Sequence, residues 1–185
     1  MDQVKDNQGV TLIELIVVML MIGILSGGAF LGLRLLDSGN TGNAAKRIGA
    51  SLDYTRILNM SKDKAYYMTI EQNADSFIAR IYYEEKDSVT GIITEHDVKV
   101  ENLKLKNGSI KYTTSTGAGE REYQVEASVK LMLSYNKATG AIMTYDSMTH
   151  DLLLTEDVKS VTINAGGHTD TILLVTATGK HYMED

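Results

Sequence analysis

The sequence predicts an α+β chain in which a long N-terminal membrane-spanning helix carries a β-rich C-terminal globular headgroup, and three observations predict it. Residues 10–33 are an apolar run whose single charge is Glu14. Between 44 and 62 Ile48, Leu52, Thr55 and Leu58 recur at spacings of three and four, the period of one helix face. From Tyr66 onward the apolar period falls to two, the period of strands.

Composition narrows the function classes before any motif is read. A chain of 185 residues, 43% hydrophobic and 23% charged, has room for one sizeable core. A net charge of −6 argues against a protein that binds nucleic acid by general attraction to phosphate. With no cysteine there is no disulfide framework, thiolate metal site or cysteine nucleophile. Proline is absent too, so turns fall to the 16 glycines and to Asn and Asp. The ten tyrosines suit strands with one dry and one wet face.

As a helix, residues 10–33 extend roughly 36 Å, enough to cross a hydrocarbon layer of about 30 Å. Three readings compete for this segment. A secretory signal peptide wants a basic leader and a shorter apolar stretch, whereas this leader sets Lys5 against Asp2 and Asp6 and the run holds a carboxylate; small residues at Ser26, Gly27, Gly28 and Ala29 keep the reading open. A plain single-pass anchor tolerates Glu14 near its end, where the helix dipole relieves a negative charge, but gives no reason for it. The third reading supplies the reason.

The string Gly9-Val10-Thr11-Leu12-Ile13-Glu14-Leu15-Ile16-Val17-Val18 closely resembles the class III signal of type IV prepilins and pseudopilins. There a glycine ends a short polar leader and a glutamate stands at a fixed offset in a spanning apolar run; the one mismatch in the first seven positions is Val10, where the family has Phe. The resemblance implies that prepilin peptidase cuts after Gly9, that Val10 becomes an N-methylated amino terminus, and that Glu14 and Thr11 serve subunit assembly. The implied partners are other pilin or pseudopilin subunits, prepilin peptidase, and the inner or cytoplasmic membrane. It implies a single-pass subunit with an extracytoplasmic headgroup, incorporated into a pilus or pseudopilus, with no cofactor. Two features depart from the family: its leaders are commonly basic, and Arg34, Lys46 and Arg47 beyond the helix would favour the opposite orientation. The proline many members carry late in this helix is also missing, and Gly23, Gly27, Gly28 and Gly32 stand in as local looseness.

The chain accordingly divides into a leader (1–9), a transmembrane and assembly helix (10–36), a glycine-rich hinge or helix stop (37–43) and a headgroup (44–185) that opens on an amphipathic helix (44–62) followed by an antiparallel sheet. Tyr66, Met68 and Ile70 alternate, and after Gln72-Asn73-Ala74-Asp75 so do Phe77, Ala79, Ile81 and Tyr83, a hairpin. Residues 125–135 alternate unbroken and read as one strand that turns at 136–140 into a strand over 141–145. Residues 158–163 and 172–175 flank Ala165-Gly166-Gly167-His168 as a last pair, the second strand buried on both faces. The order of elements, with Gly179-Lys180 near the end, resembles the GspH/FimT-like group of minor pseudopilins and minor pilins.

Asn107-Gly108 favours a two-residue hairpin loop, which would pair Leu105 with Ile110 and Lys104 with Lys111. That register sets Lys104, Lys106 and Lys111 on one face, read as a solvated face or as a contact for an acidic neighbour or for DNA phosphate. Catalytic residues and metal ligands are not nominated. His96, His150, His168 and His181 share no zinc spacing, residues 146–151 lack the alternating acids of a calcium loop, and no phosphate loop or nucleophile elbow occurs. The expected function is structural: a minor subunit of a type IV pilus, a type II secretion pseudopilus or a DNA-uptake (competence) pseudopilus. The alternative is a membrane-tethered binding domain, an adhesin or sensor, on a pilin-like anchor.

Overall fold

The computed structural model describes residues 11–74, 76–105, 107–146, 149, 152–153 and 157–184, with backbone alone for 27–39. Contacts divide the chain into two compact units, 1–36 and 37–185. One helix, α1 (Leu12–Ser61), begins in the first and ends in the second. The sequence expectation of a stop at 37–43 is therefore corrected: these residues are helical. Two glycines cost only about 2 kcal/mol of helix preference against alanine. In the second unit the helix buries Thr41, Ala44, Ala45, Ile48, Leu52, Thr55 and Leu58, and each fully buried Ile or Leu contributes about 1.5–3 kcal/mol. Packing outweighs the local signal.

The face read from the spacing of Ile48, Leu52, Thr55 and Leu58 is the buried one, while Tyr54, Ile57 and Met60 face outward. The helix ends where Asn59 binds the backbone of Tyr66, the first residue of the next element.

Among the described residues ten strands follow: β1 (Tyr66–Asn73), β2 (Ser76–Lys86), β3 (Ile93–Asn102), β4 (Gly108–Thr116), β5 (Gly119–Gln124), β6 (Leu131–Tyr135), β7 (Ile142–Tyr145), β8 (Asp157–Ala165), β9 (His168–Val175) and β10 (Lys180–Glu184). They form two five-stranded antiparallel sheets, ordered β3-β2-β1-β6-β7 and β10-β9-β8-β4-β5. One core joins the inner faces of both sheets to the buried face of the helix, through Ile48 and Leu52, through Met68, Ile81 and Leu133, and through Ile110, Val161 and Ile172.

Hairpins set by local turn chemistry lie where the sequence puts them. β1 and β2 pair from Tyr66↔Tyr83 to Asn73↔Ser76. β6 turns into β7 through Asn136, whose carbonyl accepts the Gly140 N–H and whose side chain accepts those of Ala138 and Thr139, with Gly140 at φ +70°. β8 and β9 close on Gly166-Gly167, both at positive φ as a two-residue primed turn requires.

Three strand expectations are corrected. Asn107-Gly108 makes no hairpin: Leu103 and Leu105 are buried in a connection that leaves the first sheet, the Leu103 N–H bonding Phe77 O, and β4 pairs with β5 and β8. Gly108 is glycine because a Cβ there would lie 2.6 Å from Asn164 O and 2.7 Å from Leu105 Cγ, a matter of close approach. Residues 125–135 are not one strand. Val125 still bonds Ile110 O in the second sheet, a turn closed by the Glu126↔Val129 bridge follows, and β6 belongs to the first sheet. Lastly, β9 buries Ile172 and Leu174 but exposes Leu173 and Val175, so one face is dry.

β6 is the strand buried on both sides. Its outer face is covered by the protein's own aromatics: Tyr82 is buried with its hydroxyl 3.8 Å from Met132 Sδ, and Tyr67 packs between Tyr82 (5.7 Å) and Tyr145 (5.2 Å).

Candidate functional site

The N-terminal motif enters the described residues at Thr11; Gly9 and Val10 lie outside them. Thr11 is the N-cap of α1, its hydroxyl oxygen accepting the Glu14 N–H at 3.3 Å while its carbonyl accepts that of Leu15 at 3.2 Å. Glu14 thus stands at the third helical position, where the N-terminal end of the helix dipole favours a negative charge. Thr-x-x-Glu is the spacing of a capping box, a signal present in the sequence that gives Thr11 a local structural role beside the assembly role implied by resemblance. From Leu12 to Leu25 the apolar side chains of the first unit are exposed, Leu12 at 78% and Ile24 at 75%. Among the described residues of this unit nothing covers them. Among the described residues no helix is long and apolar enough to cross a membrane; the side chains described here end at Ser26, short of the apolar run through 33 on which the spanning expectation rests.

The basic face is not assembled as expected. Lys104 sits in the connection after β3 at φ +56°, its N–H bonded to Asn102 Oδ1 at 2.7 Å, and it does not oppose Lys111. Lys111, on β4 between Gln124 and Thr162, is ion-paired with Glu122 at 2.7 Å. Lys106 lies outside the described residues. The register that gathered three lysines is absent, and with it the argument for phosphate contact.

The described histidines stay apart. His96 stacks on Tyr83 at 5.0 Å, and His181 packs against the helix at Gly49 with Nδ1 3.8 Å from Asp53. Among the described residues no group of three or more His, Asp or Glu is placed to hold a metal ion. Asp146 turns its loop by accepting the Thr149 N–H at 2.8 Å.

One site had no sequence signal. A cleft of about 280 Å³ opens between the sheets, lined by Tyr112, Thr114 and Tyr123 of the second sheet, by Leu131, Met132, Thr144 and Tyr145 of the first, and by Ser128, Val129 and Lys130 between them. Thr114 and Thr144 are buried, and neither hydroxyl has a hydrogen-bond partner among the described residues. An unmade hydrogen bond on a buried polar group costs about 1–3 kcal/mol. Tyr112 and Tyr123 stack at 5.2 Å and 20°. Burial raises the Tyr145 hydroxyl above its ordinary pKa, and Lys130 is held by Glu71 at 3.1 Å. The two threonines come from different sheets, thirty positions apart, so no spacing pattern announces them.

No curated protein and no solved structure matches the chain. One family model, the prokaryotic N-terminal methylation motif, matches residues 4–30. That stretch covers Gly9, Val10, Thr11 and Glu14, and the match supports a type IV pilin-like precursor, processed by prepilin peptidase and assembling with other pilin subunits.

Proposed function

We propose that the protein is a minor pilin or pseudopilin: a non-enzymatic subunit anchored in the inner or cytoplasmic membrane by its first helix and drawn from there into an envelope filament. The observation that carries the reading is the methylation motif over 4–30 joined to a capped helix whose described apolar side chains have no cover. Cleavage after Gly9 creates an amine at Val10, four positions from Glu14. In a low-dielectric layer a carboxylate gains most from such a partner. Within one chain the pair eases insertion; between chains the Glu14 carboxylate of a docked subunit attracts the amine of the next and sets the axial stagger of the bundle. The order of a helix, the Tyr66 hairpin and further strands supports the GspH/FimT-like minor group, in a type IV pilus, a type II secretion pseudopilus or a DNA-uptake pseudopilus.

Coexpression with a prepilin peptidase tests the reading. Intact mass should show the loss of nine residues and a chain beginning at Val10, and the processed protein should co-purify with other pilins. A chain beginning near Ala29 would mean ordinary signal-peptide cleavage. A chain that keeps its leader and associates with no filament would mean a tethered binding domain.

A further inference from the structure

We infer that Thr11 is a positioning residue for leader removal: as the N-cap of α1 it keeps the helix from taking up the bond between Gly9 and Val10 that the peptidase must cut. The inference rests on the proposed cleavage after Gly9. In an α-helix each N–H donates to the carbonyl four residues back. The helical acceptor for the Glu14 N–H would therefore be the Val10 carbonyl, and that for the Ile13 N–H would be the Gly9 carbonyl, which belongs to the bond to be cut. Instead the Thr11 hydroxyl oxygen takes the Glu14 N–H at 3.3 Å, and α1 begins at Leu12. The Leu15 N–H bonds the carbonyl of the same threonine at 3.2 Å. Thr11 thus starts the ladder with its carbonyl and closes it upstream with its hydroxyl.

The chemistry of the cut makes this competition matter. Water adds to the Gly9 carbonyl carbon and the C–N bond to Val10 breaks, leaving a carboxylate on Gly9 and an amine on Val10. The charge that builds on the Gly9 carbonyl oxygen on the way has to be received by donors of the enzyme. An oxygen committed to the Ile13 N–H is denied to them. Without a cap the helix has reason to continue upstream, because residues 15–33 carry no charge and backbone donors beside lipid are driven to find acceptors. Threonine is a preferred N-cap and valine, alanine and leucine are poor ones, so the residue at position 11 decides between a capped start and one further turn. The methylation motif matched over 4–30 contains both the cap and the bond.

Full-length precursors in detergent, wild type and Thr11→Val, Thr11→Ser and Thr11→Asn, would be cut by a purified prepilin peptidase over a range of precursor concentrations, with the product followed by intact mass. Valine keeps the shape of threonine and removes the cap, whereas asparagine changes the shape and keeps the cap. Thr11→Val should raise KM about fivefold with kcat unchanged, because only precursors whose bond lies outside the helix can enter the peptidase. The serine and asparagine variants should be cut like the wild type. Cleavage of Thr11→Val at the wild-type kcat/KM overturns the inference, since the cap then has no part in the cut. A loss in Thr11→Asn as large as in Thr11→Val overturns it too, since the peptidase then reads the shape of the side chain. A wild-type precursor left whole overturns the cleavage after Gly9 and this inference with it, whereas the other two outcomes leave that cleavage standing. Melting of the headgroup, which lies in the other compact unit, should be the same in all four. If the valine variant does not stay soluble in detergent, Thr11→Ala, which also lacks the cap, decides between the same outcomes.

Discussion

Asn59 and Tyr66 hold each other through a reciprocal pair of buried hydrogen bonds: Asn59 Nδ2 donates to Tyr66 O at 2.8 Å, and the Tyr66 N–H donates to Asn59 Oδ1 at 3.0 Å. The same Nδ2 also donates to Thr55 O, and Tyr66 O receives a further bond from the Ser134 hydroxyl at 2.7 Å. One side chain thus joins the last turn of the helix to the first residue of β1, and Ser134 brings in β6.

Asn59→Leu should cost about 1–3 kcal/mol, because it strands the Tyr66 N–H in a buried setting while the carbonyl keeps Ser134. Chemical denaturation measures it. Ser134→Ala should cost less, since Asn59 still serves the same carbonyl oxygen.

Two glycines at similar φ should respond differently to alanine. Gly179 has φ +66°, and a Cβ there would lie 1.9 Å from the Gly140 carbonyl oxygen. Gly167 has φ +83° with nothing within 4 Å. Gly167→Ala should lose only the roughly 1–2 kcal/mol of left-handed strain, whereas Gly179→Ala must also push the β6–β7 turn away from the end of β9. A larger fall in melting temperature for Gly179→Ala is the expected result.

Stability should fall in acid through Glu101. The hydrogen bond from Lys99 holds its carboxyl below the ordinary value of 4.5 against the opposing effect of burial, with Arg47 of the helix adding to Lys99. A depressed folded-state pKa contributes stability that is full above the unfolded value and lost as pH falls from about 4.5 through the folded value. Comparing unfolding free energies from pH 7 down to pH 3, Glu101→Gln should show a shallower loss than the wild type.

At the N-terminus, Glu14→Ala should leave leader removal and membrane insertion largely intact while reducing incorporation into filaments or binding to other pilins. Equal incorporation would remove the assembly role. Thr11→Val should weaken the helix start by about 1 kcal/mol, and Thr11→Ser should restore it; helicity of the processed chain in detergent is the measurement.

The parts of the headgroup legible in the sequence are those set by neighbours in the chain. Gly166-Gly167, Asn136 with Gly140, and the Ile48, Leu52, Thr55, Leu58 face are local patterns, and the structure uses each as read. Alternation misled where the chain changes sheets. Leu103 and Leu105, then Val125 and Leu131, keep a period of two across connections because both sheets drain into one core. Period two records which way a side chain faces and not which sheet its strand joins. At 37–43, glycine and asparagine state a local preference that the burial of Thr41, Ala44 and Ala45 overrides. The N-terminal motif was legible because its elements lie within a few residues, and the cleft was not because its walls come from two sheets and meet only after both have formed.

The position of β6 has a consequence for the order in which the headgroup is built. Tyr67 on β1 is paired with Ser134, sixty-seven residues further along, and the intervening chain visits the second sheet through β4 and β5. On the proposed membrane-anchored reading, the headgroup crosses behind the first helix and presents the β1–β2 hairpin early, with the inner edge of β1 unpaired until β6 arrives. Open edges invite pairing with other chains, and contacts this distant are slow to close. The interval between the appearance of β1 and that of β6 is therefore when this headgroup is most exposed to misassembly, and when a chaperone that caps a strand edge would have the most effect.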